Sequence, residues 1–387
     1  MLVVHNFKKV MAKKKILLLA DDLRMSSGIA NMSKQLVLGS LHQYDWVQLG
    51  AAVQHPEEGR ILDLSDDVKG KTGVQDAYLK IYPSSGYGTP EKLREVMRLE
   101  KPDAILHFTD PRYWIWLYDI EHEIRQTTPI FFYHIWDDLP DPKYNRDYYE
   151  SCDWIGCISK QTYGITKRVY GWDKEAHWTK PENWQVSYVP HGIPSDLYFP
   201  TDVPEDFKKR ILGDKEYEFI LYWNNRNIRR KQPMDAMLAF DEFRQTLTPE
   251  QQERACMVMH TEPVQEHGTD LPTFIEHCMP DSKVIFVPDK FSEMELNYLY
   301  NLADVTINLA SNEGFGLATA ESVMAGTPII VNVTGGMQDQ CGFRDKGTGK
   351  LLMEEDYVEI GSLHDKYKKP TLVWGDWVKP IWPVRST

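Results

Sequence analysis

The chain has 387 residues, 42% of them hydrophobic, and a formal net charge of −13 at pH 7. This length exceeds one simple core and predicts two domains of ordinary size. The acidic balance argues against broad electrostatic attraction to nucleic acid or to anionic membranes. Five cysteines without paired C-x2-C spacing indicate neither a disulfide framework nor a zinc site.

The amino-terminal region bears on localisation. Lys13, Lys14 and Lys15 precede the first apolar run, residues 16–20. Five apolar residues are too few for the core of a signal peptide or for a membrane span, which favours a cytoplasmic protein. Residues 1–10 precede Met11 and are interpreted as an extension or alternative start, so the predicted fold leaves them out.

Short apolar runs alternate with helical patterns along the chain, which predicts βαβ units and a largely parallel sheet in each domain. The first domain, residues 1–190, has predicted strands at 16–20, 46–52, 104–108, 130–134, 154–158 and 186–189. Its predicted helices are 28–42, 90–99, 113–126 and 160–170. Residues 191–214, rich in Pro and Asp and without periodicity, are the predicted linker.

The second domain, residues 215–387, repeats this alternation. Its predicted strands are 219–223, 255–260, 284–287, 305–309 and 329–333, and its predicted helices are 233–247, 292–302 and 317–325. The predicted fold is therefore α/β, with two doubly wound, Rossmann-like domains facing a central cleft. Ligands in such folds bind at the carboxyl ends of the strands.

The most informative motif follows the predicted strand 305–309. Glu313 and Glu321 are separated by seven residues and enclose Gly314, Phe315 and Gly316, a pattern typical of a strand, a glycine loop and a helix. Glycines let the backbone approach a ligand, and the amino end of the helix favours an anion such as phosphate. The two carboxylates would accept hydrogen bonds from sugar and ribose hydroxyls. The motif suits a sugar nucleotide, and an ordinary connection with two solvated glutamates is the alternative.

Cations for a diphosphate follow the predicted strand 219–223. Arg226 would grip phosphate oxygens as a planar fork and Lys231 would act as a point charge. Arg229 and Arg230 are assigned to the solvated or supporting face. In the first domain, Gly28 opens a helix after strand 16–20 and would meet the donor phosphate, with a plain turn glycine as the alternative.

His134 ends the predicted strand 130–134, where it would face the cleft and contact a sugar hydroxyl or the transferring centre. A satisfied structural histidine is the alternative. His107 lies at the end of another predicted strand, but the residues around it give less support to a functional role. Asp137 and Asp138 are predicted to be turn or helix-cap residues. No Asp-x-Asp pair occurs in the chain, so the sequence does not indicate a metal clamp for the diphosphate.

The glutamate motif, Lys231 five residues after Arg226, and Val189-Pro-His-Gly-Ile at the domain junction resemble the retaining glycosyltransferases of GT-B fold, of the family 4 or group 1 type. The resemblance covers about residues 16–336. It implies sugar transfer from a nucleoside diphosphate sugar with retained anomeric configuration and no metal or other cofactor. Attack on the leaving side, with a phosphate oxygen taking the acceptor's proton, would require no protein nucleophile.

The resemblance also distributes roles among the residues. Glu321 would bind the nucleotide ribose, Glu313 the donor sugar, and His134 the transfer site. The predicted catalytic residues are His134, Glu313, Arg226 and Lys231. The predicted donor-binding residues are Gly28, Arg226, Lys231, Glu313, Gly314, Phe315, Gly316, Leu317 and Glu321. Because these groups are expected in a cleft, replacing Lys231 or Glu321 should leave the fold intact.

The sequence departs from the family pattern near both ends of the segment that resembles the family. The loop before Gly28 lacks paired glycines, and after Gly336 the sequence offers a short predicted helix, 356–368, and then a Trp- and Pro-rich end. The loop 21–28, the stretch 334–340 and the Trp- and Pro-rich end resemble a subgroup common in tailed phages, which would place the protein in the host cytoplasm. Two acceptors stay open, a glycan and a hydroxymethylated pyrimidine in DNA. The rival functions are a nucleotide-sugar epimerase and a non-catalytic sugar-nucleotide binder.

Overall fold

A computed structural model describes residues 12–171, 183–360 and 371–382. The expectations for residues 1–10, and for the part of the predicted helix 356–368 after residue 360, lie outside the described residues. The chain forms two compact units. The described part of the first comprises residues 12–135, 143–156 and 183–187, and that of the second comprises 136–142, 157–171, 188–360 and 371–382.

The first unit is built on an eight-stranded sheet with the order β3-β4-β2-β1-β5-β6-β7-β8. Strand β1 pairs in parallel with β2 and β5, and β4 is parallel to β2, whereas the short β3 runs antiparallel to β4. Apolar residues 17–19 at the centre of β1 are fully buried. The strands are β1 (Lys14–Asp21), β2 (Tyr44–Val53), β3 (Leu62–Asp63), β4 (Leu79–Ser85), β5 (Ala104–Phe108), β6 (Ile130–His134), β7 (Trp154–Cys157) and β8 (Val186–Tyr188).

Helices connect these strands, as a parallel sheet requires. Several begin with a hydroxyl cap: Ser27 accepts from the Ala30 amide and Thr89 from the Lys92 amide. The helices are α1 (Gly28–Ser40), α2 (Ser65–Thr72), α3 (Pro90–Glu100), α4 (Ile115–Asp119), α5 (Glu121–Ile124), α6 (Arg146–Glu150) and α7 (Lys160–Tyr170). Short 3₁₀ helices occur at Pro111–Trp114, Lys143–Asn145 and Asn183–Gln185.

The second unit contains a six-stranded sheet with the order β11-β10-β9-β12-β13-β16, in which all paired strands are parallel. A separate antiparallel pair, β14 and β15, lies near the end of the chain. The strands are β9 (Phe219–Asn224), β10 (Ala255–His260), β11 (Val284–Phe286), β12 (Val305–Asn308), β13 (Ile329–Asn332), β14 (Arg344–Asp345), β15 (Leu372–Val373) and β16 (Val378–Ile381).

The remaining helices follow the strands of this sheet. A capping box starts α12, in which Ser292 and Glu295 satisfy each other's backbone N–H groups. The helices are α8 (Glu205–Leu212), α9 (Pro233–Gln245), α10 (Pro249–Glu253), α11 (Leu271–Cys278), α12 (Glu293–Leu302), α13 (Leu317–Met324), α14 (Met337–Gln340) and α15 (Glu354–Ile360), with a 3₁₀ helix at Arg229–Lys231. Among the helices of the described residues, none combines the length and apolar composition that crossing a membrane requires.

The predicted α/β class with parallel sheets in two domains is confirmed. The structure adds elements that the sequence did not reveal. Strand β4 contains Pro83, which weakens a strand pattern, and β3 has two residues. Helix α8 lies inside the predicted linker and buries Phe207 and Ile211. Strand β16 comes from the Trp- and Pro-rich end and pairs with β13.

The units also divide the chain differently from the predicted bounds of 190 and 215. Helix α7 counts with the second unit. Its first amide, Lys160 N, donates to Asp339 Oδ2 at 3.0 Å, and Gln161 Oε1 accepts from Gly335 N at 3.0 Å. Helical periodicity predicts α7 itself, but it does not predict these partners, which follow more than 170 residues later.

Candidate active site

A buried ion pair lies where two neighbouring strands of the second sheet end. Lys231 follows β9 and its ammonium contacts the Glu313 carboxylate, which follows β12. Arg230 Nη1 donates to the same carboxylate at 3.1 Å and to the Asn312 carbonyl at 2.9 Å. The side chains of Lys231 and Glu313 are only 8% and 14% exposed. The parallel pairing of β9 with β12 explains the meeting, because it places the two following segments side by side.

The electrostatics of this cluster favour an ionised Glu313. Burial alone would raise the pKa of this carboxyl, but the cations of Lys231 and Arg230 outweigh burial and hold the pKa below its ordinary value. Two cations therefore surround one carboxylate.

The structure changes which arginine belongs to the cluster. The side chain of Arg226 is exposed and makes no hydrogen bond or ion pair with the described residues. Arg230, which the sequence interpretation assigned to the solvated or supporting face, contacts Glu313 instead. The 3₁₀ helix Arg229–Lys231 brings Arg230 and Lys231 to the same carboxylate. Arg230 directly precedes Lys231 in the sequence, and this adjacency was the only indication that Arg230 could belong to the same cluster.

The glycine loop after Glu313 has a conformation that only glycine adopts easily. Gly316 has a φ of +84° and caps α13, which begins at Leu317 as predicted. Within the described part of the chain, the N–H groups of Gly314, Gly316 and Leu317 have no hydrogen-bond acceptor. Phe315 is 9% exposed and packs edge-to-face on His191, with 5.0 Å between ring centroids. The loop thus presents free donors beside the ion pair.

A second glycine pair braces this loop. Gly336 N donates to the Glu313 carbonyl at 2.9 Å. A Cβ atom on Gly336 would lie 2.5 Å from the Gly314 carbonyl oxygen, and one on Gly335 would lie 1.8 Å from that of Glu313. Side chains at either position would therefore displace the loop.

Glu321 lies one turn into α13 and belongs to a hydrogen-bonded chain. The Tyr300 hydroxyl donates to Glu321 Oε2 at 2.6 Å and accepts from Asn224 Nδ2 at 2.8 Å. Burial raises the pKa of Glu321 to about 7, although the hydroxyls of Tyr300 and Tyr198 favour the ionised form. The carboxyl group is therefore poised between its acid and its carboxylate near neutral pH.

Asp137 is a third acid near the loop, and the sequence suggested only a turn or cap role for it. Its Oδ1 accepts from Asn312 Nδ2 at 3.2 Å. Burial raises its pKa to about 6, with Arg230 opposing and Glu313 reinforcing that shift. The partner lies 175 residues away in sequence, so no local pattern could have revealed this contact.

Two predicted site residues belong to the first unit. Gly28 is the exposed first residue of α1, behind the Ser27 cap. His134 ends β6 as predicted, is 1% exposed, and shares a hydrogen bond of 2.8 Å between its Nε2 and the Tyr149 hydroxyl. Burial lowers the pKa of His134 to about 3, so its ring is neutral at pH 7. His107, the weaker candidate, is also buried and bonds the Tyr118 hydroxyl.

The match to a known protein family lies within the second unit. The family model of glycosyl transferases group 1 matches residues 204–359. The chain carries a glycosyltransferase group 1 domain. This domain contains Lys231, Arg230, Glu313, the glycine loop and Glu321, whereas Gly28 and His134 precede it. No curated protein matches the sequence significantly.

Solved structures resemble nearly the whole chain. Anabaena Alr3699/HepE in complex with UDP and glucose aligns with a TM-score of 0.59 at 12% identity, over 92% of this chain and 91% of that one. A sucrose-phosphate synthase from Thermosynechococcus elongatus gives 0.58 at 15% identity, over 92% and 90%. An α,α-trehalose-phosphate synthase (UDP-forming) from Burkholderia vietnamiensis gives 0.58 at 11% identity, over 90% and 89%. At these identities the likeness establishes the fold, which is GT-B.

Proposed function

We propose that this protein is a retaining, metal-independent glycosyltransferase that moves a sugar from a nucleoside diphosphate sugar to an acceptor hydroxyl. The observation that carries the proposal is the glycine loop of the group 1 domain, bracketed by ion-paired Glu313 and by Glu321. Its free N–H groups lie beside the two cations of the cluster. Such a combination is complementary to a diphosphate attached to two polyols, the ribose and the donor sugar.

In the proposed reaction the acceptor oxygen attacks the anomeric carbon, and the bond from that carbon to the β-phosphate oxygen breaks. The β-phosphate oxygen takes the acceptor proton. Lys231 and the loop amides stabilise the charge that develops on the leaving diphosphate. Glu321 holds the ribose hydroxyls and Glu313 the donor sugar. Because attack and departure occur on the same face, the anomeric configuration is kept.

UDP-glucose is the first donor to try, because the Anabaena structure contains UDP and glucose. For the acceptor, the charges at the carboxyl ends of the first sheet are informative. Arg24 is paired with Asp22 at 2.8 Å, Lys92 with Glu58, and Arg112 with Asp110. Each of these cations is matched by a carboxylate, and the formal net charge of −13 opposes the approach of a phosphate backbone, which favours an uncharged, hydroxyl-bearing acceptor. A glycan is therefore the first acceptor and hydroxymethylated DNA the second. On the sequence argument alone, we expect the protein to act in the cytoplasm.

The test is an NMR assay of UDP-glucose turnover in EDTA, with neutral oligosaccharides in one arm and hydroxymethylcytosine DNA in another. We expect that UDP is released only when an acceptor is present. We also expect that the product keeps the anomeric configuration of the donor. Glu321→Gln should lower turnover, and Glu276→Gln, an exposed glutamate of α11, is the matched control. Donor isomerisation without acceptor would identify an epimerase instead, and nucleotide binding without turnover in any arm would identify a binding protein.

A further inference from the structure

Gln340 contacts the glycine loop from the side of α14. Its Nε2 donates to the Phe315 carbonyl at 2.7 Å and to the Gly316 carbonyl at 2.9 Å. The main-chain carbonyl of Gln340 accepts from the indole Nε1 of Trp377 at 3.0 Å. One side-chain amide therefore binds two successive peptide groups at the point where α13 begins.

The hydrogen bond to the Phe315 carbonyl fixes the direction of the Gly316 amide, whereas the Gly316 carbonyl also accepts from Ala320 N at 3.1 Å and from Thr319 Oγ1 at 2.9 Å. In a trans peptide the C=O and the N–H of the same unit point in opposite directions. With the Phe315 and Gly316 carbonyls turned toward Gln340, the N–H groups of Gly316 and Leu317 must point away from it. The bond from Gly336 N to the Glu313 carbonyl orients the Gly314 N–H in the same manner.

The support behind Gln340 comes from the end of the chain. Trp377 immediately precedes β16, and its ring lies against two glycines: Cβ atoms on Gly342 and Gly375 would come within 3.2 and 2.3 Å of it. Gly375 N also donates to the Cys341 carbonyl at 3.0 Å. The Trp- and Pro-rich end is thus packed under α14.

We infer that Gln340 is a positioning residue that aims the amide of Gly316, and contributes to aiming that of Leu317, at the diphosphate of the donor, and that Trp377 holds Gln340 in place. The inference rests on the proposed function and extends it, because Gln340 touches no substrate itself. Oriented amides at a helix start bind phosphate only when their N–H groups converge on it.

The experiment replaces the donor amide by groups of similar length that cannot donate. Gln340→Glu places a carboxylate against two carbonyl oxygens, and Gln340→Met is an uncharged second variant in case the first fails to fold. Gln75→Glu is the matched control, because the Gln75 amide also donates to a backbone carbonyl, that of Gly73, but on the exposed surface of the first unit. Calorimetry gives the affinity for UDP, GDP and ADP, and an NMR titration gives that for the nucleoside of the best binder.

Both Gln340 variants should bind the diphosphate about tenfold more weakly, which equals about 1.4 kcal/mol, while their nucleoside affinity stays within about twofold of wild type. Equal loss for diphosphate and nucleoside would reduce Gln340 to a structural residue, and unchanged diphosphate affinity would also overturn the inference. A wild-type protein that binds none of the three diphosphates would instead refute the proposed function on which the inference rests.

Discussion

Replacing Lys231 by methionine tests the energetics of the buried ion pair. Methionine has a similar length and an apolar stem but no charge. The carboxylate of Glu313, whose side chain is 14% exposed in the wild-type structure, would then have Arg230 as its remaining cation. Removing one partner of a buried pair costs about 3–5 kcal/mol, because the other charge stays desolvated. Since Arg230 still donates at 3.1 Å, we expect the lower end, about 3 kcal/mol.

For a unit of this size, a loss of about 3 kcal/mol lowers the unfolding temperature by roughly 6–12 °C. Differential scanning calorimetry and urea denaturation measure it. Lys208→Met, which breaks an exposed pair with Glu205, is the control and should change stability far less. The sequence had suggested that replacing Lys231 would leave the fold intact, but the burial of its pair with Glu313 predicts otherwise.

The double variant Lys231→Met, Glu313→Gln supplies the decisive comparison. It removes both charges, so most of the lost stability should return, whereas diphosphate affinity should stay low because the cation is absent. The pairing of Glu313 stabilises the fold above the unfolded pKa of this carboxyl and is lost as pH falls through its lowered folded pKa. The gap between wild type and Lys231→Met should therefore narrow in acid. A single variant as stable as wild type, or a double variant no more stable than the single one, would show that the buried ion pair does not contribute to stability in this way.

Three further substitutions extend the account. Glu321 has its pKa raised to about 7, so the folded state holds the proton more tightly and stability should fall as pH rises from about 4.5 to 7; Glu321→Gln should abolish that slope in denaturation curves and weaken nucleotide binding. Gly336→Ala would bring a Cβ to 2.5 Å from the Phe315 backbone and should abolish donor binding, whereas Gly39→Ala, with no atom within 4 Å, should not. His134→Ala should lower kcat more than donor affinity, and equal losses in kinetic assays would make it a packing residue.

Apolar runs explain how much of the fold was predictable. Ala255–His260 is a strand with the predicted bounds, and β9, β12 and β13 end within one residue of prediction. These strands are central in the sheet, and most of their residues are buried, so their sequences are continuous apolar segments. Strand β16 lies at the sheet edge with alternating burial over four residues, one of them Pro380, and that pattern is too short to be distinguished from a loop.

The residues of the candidate site also fall into two groups, those that a local motif predicts and those that it does not. Glu313, the glycine loop and Glu321 share one local motif, and Lys231 follows a strand, so spacing alone indicated them. The sequence does not predict the contact of Arg230 because its partner Glu313 is 83 residues away, and it does not predict that of Asp137 because its partner Asn312 is 175 residues away. Contacts at such separations depend on which strands are neighbours and on how loops pack. Local propensity carries no information about either.

A crystal structure of the protein with UDP, grown in EDTA, would show whether the glycine loop binds the diphosphate. The proposed function predicts the diphosphate within hydrogen-bond distance of Lys231 Nζ and of the Gly316 and Leu317 amides, with the ribose hydroxyls on Glu321 and no metal ion between the phosphates. A nucleotide bound elsewhere, or diphosphate oxygens that contact neither Lys231 nor the loop amides, would contradict it.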